Sequence, residues 1–225
     1  MRTLLILAAL SCGISYGQDL ASSVDDVAGN NTNFFDMQIG TVYKEVPIDG
    51  TPYMDEIYKT GVANVNGKEV RLLMRYDAFK DQIELKDRMQ KSFNLLRRED
   101  LHATFGGKKY VAIPYEVNGE KTLGYANPLN EGSVVLYFKP KKVFVQAQKP
   151  ENGYADYVPP KYKEDNAYYI RKGTGMAEKI RLAKGPVLKY LRDKAPEVKK
   201  YVSENSLSLK TEREVVQLLN YYNTL

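Results

Sequence analysis

The chain has 225 residues, 43% hydrophobic and 27% charged, with a formal charge of +5. That balance suits a packed globular protein and excludes wholesale disorder. A lone histidine, His102, and a lone cysteine, Cys12, exclude sites that need two imidazoles and, once Cys12 is removed by processing, thiol nucleophiles and disulfides as well.

Residues 1–17 read as a secretory signal peptide. Arg2 supplies the positive start, Leu4 to Leu10 run apolar without a break, and Ser15 and Gly17 are the small residues ahead of a cut before Gln18. An alternative is a lipoprotein anchored at Cys12, although Leu10 then stands where a small residue is preferred. The apolar stretch is shorter than the ~20 residues that a spanning helix needs. Export makes nucleic acid an unsuitable partner, whereas acidic glycans or anionic headgroups fit a mildly basic surface.

Residues 18–35 are rich in Asp, Asn, Ser and Gly and read as a flexible leader. Residues 36–148 form a β-rich domain, in which β-prone runs alternate with turn signals at Asp49-Gly50, Asn66-Gly67, Gly106-Gly107 and Asn118-Gly119. The spacing predicts a hairpin about Asn66-Gly67, with arms from Gly61 to Val65 and from Glu69 to Met74. About Asn118-Gly119, Val111, Ile113, Tyr115 and Val117 share one face and predict a half-buried sheet. Pro114 places that strand at an edge or a bulge, because it has no N–H for a ladder. Ser133 to Phe138 and Val143 to Gln146, apolar on both faces, are predicted central strands.

Residues 149–165 carry prolines and a glycine and read as a surface connector. From 166 to 225 one further strand, Asn166 to Lys172, precedes a change to helical period. Val187, Leu188 and Leu191 make one stripe, Val198, Tyr201 and Val202 a second, and Val215, Leu218, Leu219 and Tyr222 a third. Pro196 fits a first helical turn, and Thr211 with Glu214 reads as a capping box. The expected fold is α+β: an antiparallel curled sheet or sandwich of hairpins, then a small C-terminal three-helix unit. Because the period changes after the connector, the β region through about Lys172 is expected to fold without the helices.

Two stretches carry a family resemblance. Gly50 to Glu56, Gly67 to Val70 and Met74 to Glu84, together with Tyr168 to Gly175, Ala195 to Leu209 and Val216 to Asn223, resemble a group of exported proteins of Bacteroidetes-type bacteria whose function is unknown. The resemblance implies a Gram-negative envelope and a β domain with a helical tail, and it carries over no catalytic residue. The chain departs from the group at Asp77, where asparagine usually follows the tyrosine. It ends in helices, unlike the β-sandwich sorting tag of many surface-secreted proteins of these bacteria, so the periplasm or outer membrane is the expected address.

Candidate constellations are sparse. Asp81 and Glu84 lie on opposite faces of a strand and diverge, so a paired-acid glycosidase site needs partners from elsewhere. No loop has the spacing of an EF-hand, Lys172 to Gly175 lacks the third glycine of a dinucleotide loop and the lysine of a phosphate loop, and His102 has no nucleophile elbow nearby. No catalytic residue, metal or cofactor is expected. Tyr154, Tyr157, Tyr162, Tyr168 and Tyr169 crowd about the connector and could form a recognition face. Residues 171–225 hold twelve Lys or Arg against six Asp or Glu. Lys189, Lys199 and Lys200 are therefore candidates for steering an anionic partner. The function these features suggest is that of an exported, non-catalytic binding or accessory protein of the bacterial envelope, possible contacts being an outer-membrane protein, a glycan or an anionic headgroup. A glycan-acting hydrolase and a carrier of a lipid or other apolar ligand are the alternatives.

Overall fold

Residues 47–65, 67–148 and 157–225 are described by a computed structural model. The signal peptide, the leader, the cleavage site and Tyr154 lie outside the described residues. Among the described residues, twelve strands and three helices follow in chain order. The strands are β1 (Lys59–Val65), β2 (Lys68–Asp77), β3 (Gln82–Lys86), β4 (Ser92–Asn94), β5 (His102–Phe105), β6 (Lys108–Val117), β7 (Glu120–Pro128), β8 (Val134–Lys139), β9 (Lys142–Val145), β10 (Lys161–Glu164), β11 (Ala167–Lys172) and β12 (Glu178–Ile180). The helices are α1 (Lys184–Tyr190), α2 (Ala195–Glu204) and α3 (Glu212–Tyr222), with a 3-10 turn at Arg192–Lys194 between the first two.

Ten strands form one antiparallel sheet in the order β12-β11-β8-β7-β6-β5-β1-β2-β3-β4, curled into a half-barrel that the three helices follow. The predicted hairpins are present. Val65 pairs with Lys68 and Val117 with Glu120. Asn118 and Gly119 take φ 52° and 85°, the left-handed pair that a two-residue hairpin needs and that Asn-Gly supplies with little strain. Not every neighbour in the sheet is a neighbour in sequence: β5 returns to pair with β1, and β11 with β8.

Both faces of the sheet carry core residues, one along its whole width and the other over β6, β7, β8 and β11. On one, Met74, Tyr76, Ile83, Phe105, Tyr110 and Tyr125 form a core over the β1 to β7 half. That face continues into Val134 and Leu136 of β8 and Ile170 of β11, which pack with Val187, Leu191, Val198, Val202, Val215, Leu218, Leu219 and Tyr222. All three predicted helical stripes thus point at the sheet. Each such side chain removed from water is worth ~1.5–3 kcal/mol, and the helices and the last strands gain it in common. The break in hydrophobic period is therefore not a break in the core.

The opposite face carries Ile113, Tyr115, Ala126, Tyr137, Tyr169 and Ala177. Here the curl is tight enough for the Ala177 N–H, just before β12, to donate to the Pro114 carbonyl at 2.8 Å. Pro114 therefore stands on an internal strand, but beyond the end of β5, whose pairing stops at Val111. Its missing N–H faces the side with no ladder, so the sequence signal is locally right. The single buried face expected of β6 is not found: Tyr110 and Ala112 are buried on one side, Ile113 and Tyr115 on the other, and Val117 is exposed. Both sides are filled because β6 runs where the two cores back onto each other.

Two further expectations change. β8 is central, between β7 and β11, but β9 is not: Pro140 interrupts the run, and β9 pairs with β10 in a separate two-stranded sheet. That pairing turns the last part of the presumed connector, Lys161–Glu164, into a strand. Pro196 does open α2, and Thr211 caps α3 by accepting the Glu214 N–H. The return half of the capping box is absent. Glu214 accepts instead from the Ser208 hydroxyl and the Lys210 N–H, which hold its carboxyl down to about 2.

Candidate functional site

The tyrosines near the connector do not share one surface. Tyr162 packs edge-on between Phe79 and Phe144. Tyr168 and Tyr169 are adjacent on a strand and must diverge: Tyr168 leans on Phe138 and donates to Glu212 at 2.7 Å, whereas Tyr169 is buried against Tyr115, with ring centroids 5.2 Å apart. Tyr157 remains exposed. Tyr162, Tyr168 and Tyr169 pin strands and helices together, and among the described members of the cluster only Tyr157 is largely exposed. Of the three lysines, Lys199 and Lys200 are exposed on α2, where Lys200 approaches Glu204, and Lys189 alone lines a groove.

That groove, about 810 Å³, runs between β12 and α1. Ile170, Ile180 and Pro186 provide apolar wall, and Tyr190 adds a ring whose hydroxyl burial raises above its ordinary pKa, with nearby Glu178 acting the same way. Lys179, Arg181, Lys189 and Arg192 surround it, and among the described residues none of the four pairs with a carboxylate. Lys172 also lines it but is held elsewhere: its ammonium donates to Asp193 at 2.5 Å and to the Tyr222 hydroxyl at 2.8 Å. Those hydrogen bonds raise the Lys172 pKa and lower that of Asp193. Among the described residues lining the groove, one carboxylate, Glu178, stands with these four cations.

β12 is the last strand of the sheet; Ala177 just before it bridges Tyr115 of β6, and among the described residues no ladder continues along Glu178–Ile180. An unpaired edge offers backbone N–H and C=O groups to an incoming extended chain. The groove therefore combines an open edge, apolar wall and excess positive charge. Sequence reasoning located the charge but not the place: the basic excess of residues 171–225 was legible, whereas β12 is only three residues long and bears no alternation that could be read.

The carboxylates once weighed for hydrolysis are occupied separately. Glu84 takes Arg75 and the hydroxyls of Tyr53 and Tyr58; burial opposes its charge, and the hydrogen bonds from Tyr58 and Arg75 outweigh that and keep its pKa low. Asp81 takes Lys139 at 2.8 Å. Asp77 is buried and accepts the N–H groups of Phe79 and Lys80, capping the turn from β2 to β3. No family model, curated protein or solved structure matches the chain. No described helix is long and apolar enough to cross a membrane.

Proposed function

We propose that this chain is an exported, non-catalytic binding protein of the bacterial envelope, and that it holds an extended acidic segment of an envelope partner in the groove between β12 and α1. The observation that carries this reading is the coincidence, among the described residues, of a sheet edge with no ladder beyond the Ala177 bridge and four cations that lack carboxylate partners. An added strand would gain main-chain hydrogen bonds along β12. Its alternate side chains would face the apolar wall and the basic rim, which is how strand addition combines affinity with selectivity. The export signal in residues 1–17 and the resemblance to envelope proteins support the compartment.

The alternatives draw less support. An apolar-ligand carrier wants a hollow curl, yet this interior is packed with Tyr115, Tyr137 and Tyr169. A glycosidase wants two carboxylates flanking a bond, whereas Asp81 and Glu84 each neutralise a cation. Site-specific photo-crosslinking in the native envelope tests the proposal. A probe replacing Lys189 should trap a partner segment rich in Asp and Glu, and a probe replacing Lys199, outside the groove, should not. Equal yields from both positions, or a basic segment at the first, would contradict it.

A further inference from the structure

A second cleft, of about 480 Å³, opens where β6, β8 and the turn before β3 meet, and shares only Lys179 with the first. At its inner end stands Lys139, whose side chain is 6% exposed. An ammonium has three donors. One goes to Asp81 Oδ2 at 2.8 Å and one to the Tyr125 carbonyl at 3.1 Å. The amine stands 5.0 Å from the centroid of the Tyr115 ring. Burial lowers the Lys139 pKa, with Asp81 opposing that shift.

The surroundings hold this amine in place. Asp81 sits in the left-handed region at φ 55°, an uncommon conformation for a residue other than glycine and one that persists where neighbours over-determine it. Here the Tyr76 hydroxyl at 2.7 Å and the Tyr125 N–H at 3.0 Å fix its carboxylate. Beside the amine Gly124 has no side chain, and a Cβ there would lie 2.5 Å from Lys139 Nζ and 2.7 Å from the Tyr115 ring. Arg97 reaches in from the side, 3.9 Å from Asp81 Oδ2, with its side chain 41% exposed. Two cations thus face one carboxylate at the inner end, while the rim carries Glu116 and Lys179 together with Asp165, which is paired with Lys141 at 2.9 Å, and Tyr115 and Tyr169 form wall.

We infer that this cleft binds a hydroxylated ring bearing one carboxylate, a uronic-acid type of sugar, with the carboxylate at Lys139 and Arg97 and the hydroxyls at the rim. The inner end has one positive charge more than Asp81 neutralises and a third lysine donor to offer, which matches a single carboxylate. The rim, where Glu116 and Asp165 are balanced by Lys141 and Lys179, offers acceptors and donors to hydroxyls. The tyrosine rings offer the flat apolar contact that sugar rings use, and the volume lies in the range of small-molecule sites.

The inference goes beyond the groove and does not rest on it. The probe is D-glucuronate titrated into the mature chain, with D-glucose and inorganic phosphate as comparisons, followed by tyrosine resonances in NMR spectra and by calorimetry. Saturable glucuronate binding is expected, weaker by about tenfold or more in Arg97→Ala and unchanged in Lys189→Glu. Glucose should bind about tenfold more weakly than glucuronate, and phosphate should not displace it. Absence of saturable glucuronate binding overturns the inference, as does equal affinity in Arg97→Ala. Equal binding of glucose, or displacement by phosphate, overturns the ligand class. Arg97 is exposed enough for its loss to spare the fold, which an unchanged melting temperature would verify.

Discussion

Asn223 engages both backbone groups of Val134, 89 positions away: its Oδ1 accepts the Val134 N–H at 2.9 Å and its Nδ2 donates to the Val134 carbonyl at 3.0 Å. The same amide accepts from the Ser133 hydroxyl and donates to the Glu131 carbonyl. A side chain thus completes the start of β8 as another strand would and fastens the end of α3 to the sheet. Gly132 leaves room for it, since a Cβ there would meet Asn223 Nδ2. Asn223→Ala should cost about 1–3 kcal/mol, because it leaves the Val134 N–H without its acceptor, while the Val134 carbonyl keeps the Asn130 amide at 2.9 Å. Thermal denaturation should show a fall of roughly 2–10 °C.

The shared core sets a second expectation. Truncation after Lys172 uncovers Val134, Leu136 and Ile170, all fully buried beneath the helices, and removes Ala177 from Pro114. Such a fragment should lose its cooperative melt and bind an apolar dye. A sharp transition in strand-rich circular dichroism would instead support a separable β domain.

The fold was largely legible because its signals are local. Asn118-Gly119 specifies a turn by the φ values it tolerates, and Val215, Leu218, Leu219 and Tyr222 specify a helix face by their spacing. What could not be read is non-local. Lys139 looks like part of a basic turn, and only the curl that brings it to Asp81 shows that it is buried. Val143 and Phe144 have the composition of a central strand, yet the pairing partner decides their place, and that partner, β10, hides in a segment read as a connector. The tyrosine cluster misled for a similar reason: Tyr168 and Tyr169 are adjacent in sequence and on opposite faces in space.

Breaking one side of the Lys139–Asp81 pair should cost more than removing both. Asp81→Ala leaves a nearly buried ammonium uncompensated and should destabilise by about 3 kcal/mol, whereas Asp81→Leu combined with Lys139→Met should be milder. Urea unfolding of the single and double variants measures the difference. Equal losses would show that the pair contributes nothing beyond its packing.

Alkali should unfold the protein through its tyrosines. Burial pushes the Tyr110 and Tyr115 hydroxyls from 10 up to about 12, and Tyr76 and Tyr125 rise as well. A raised folded-state pKa means that the unfolded chain loses these protons first. Their contribution is therefore complete below pH 10 and is lost as the pH climbs towards 12. Lys139, lowered by burial, acts oppositely just below the ordinary lysine value, as a single group against several. Tyrosinate absorbance followed with circular dichroism should show ionisation coinciding with loss of structure, whereas free ionisation near pH 10 in an intact fold would contradict this.

The groove between β12 and α1 is the centre of the functional reading, and a titration tests it most directly. A labelled peptide of alternating Glu and Val, followed by fluorescence anisotropy, should bind the mature chain and weaken as salt is raised, because the contacts at Lys179, Arg181, Lys189 and Arg192 are exposed and screened over about 10 Å. The double variant Arg181→Glu with Lys189→Glu should abolish binding while keeping the melting temperature, and Lys199→Glu with Lys200→Glu should leave it unchanged. Equal binding by both double variants, or equal affinity for a peptide of alternating Lys and Val, would contradict the account.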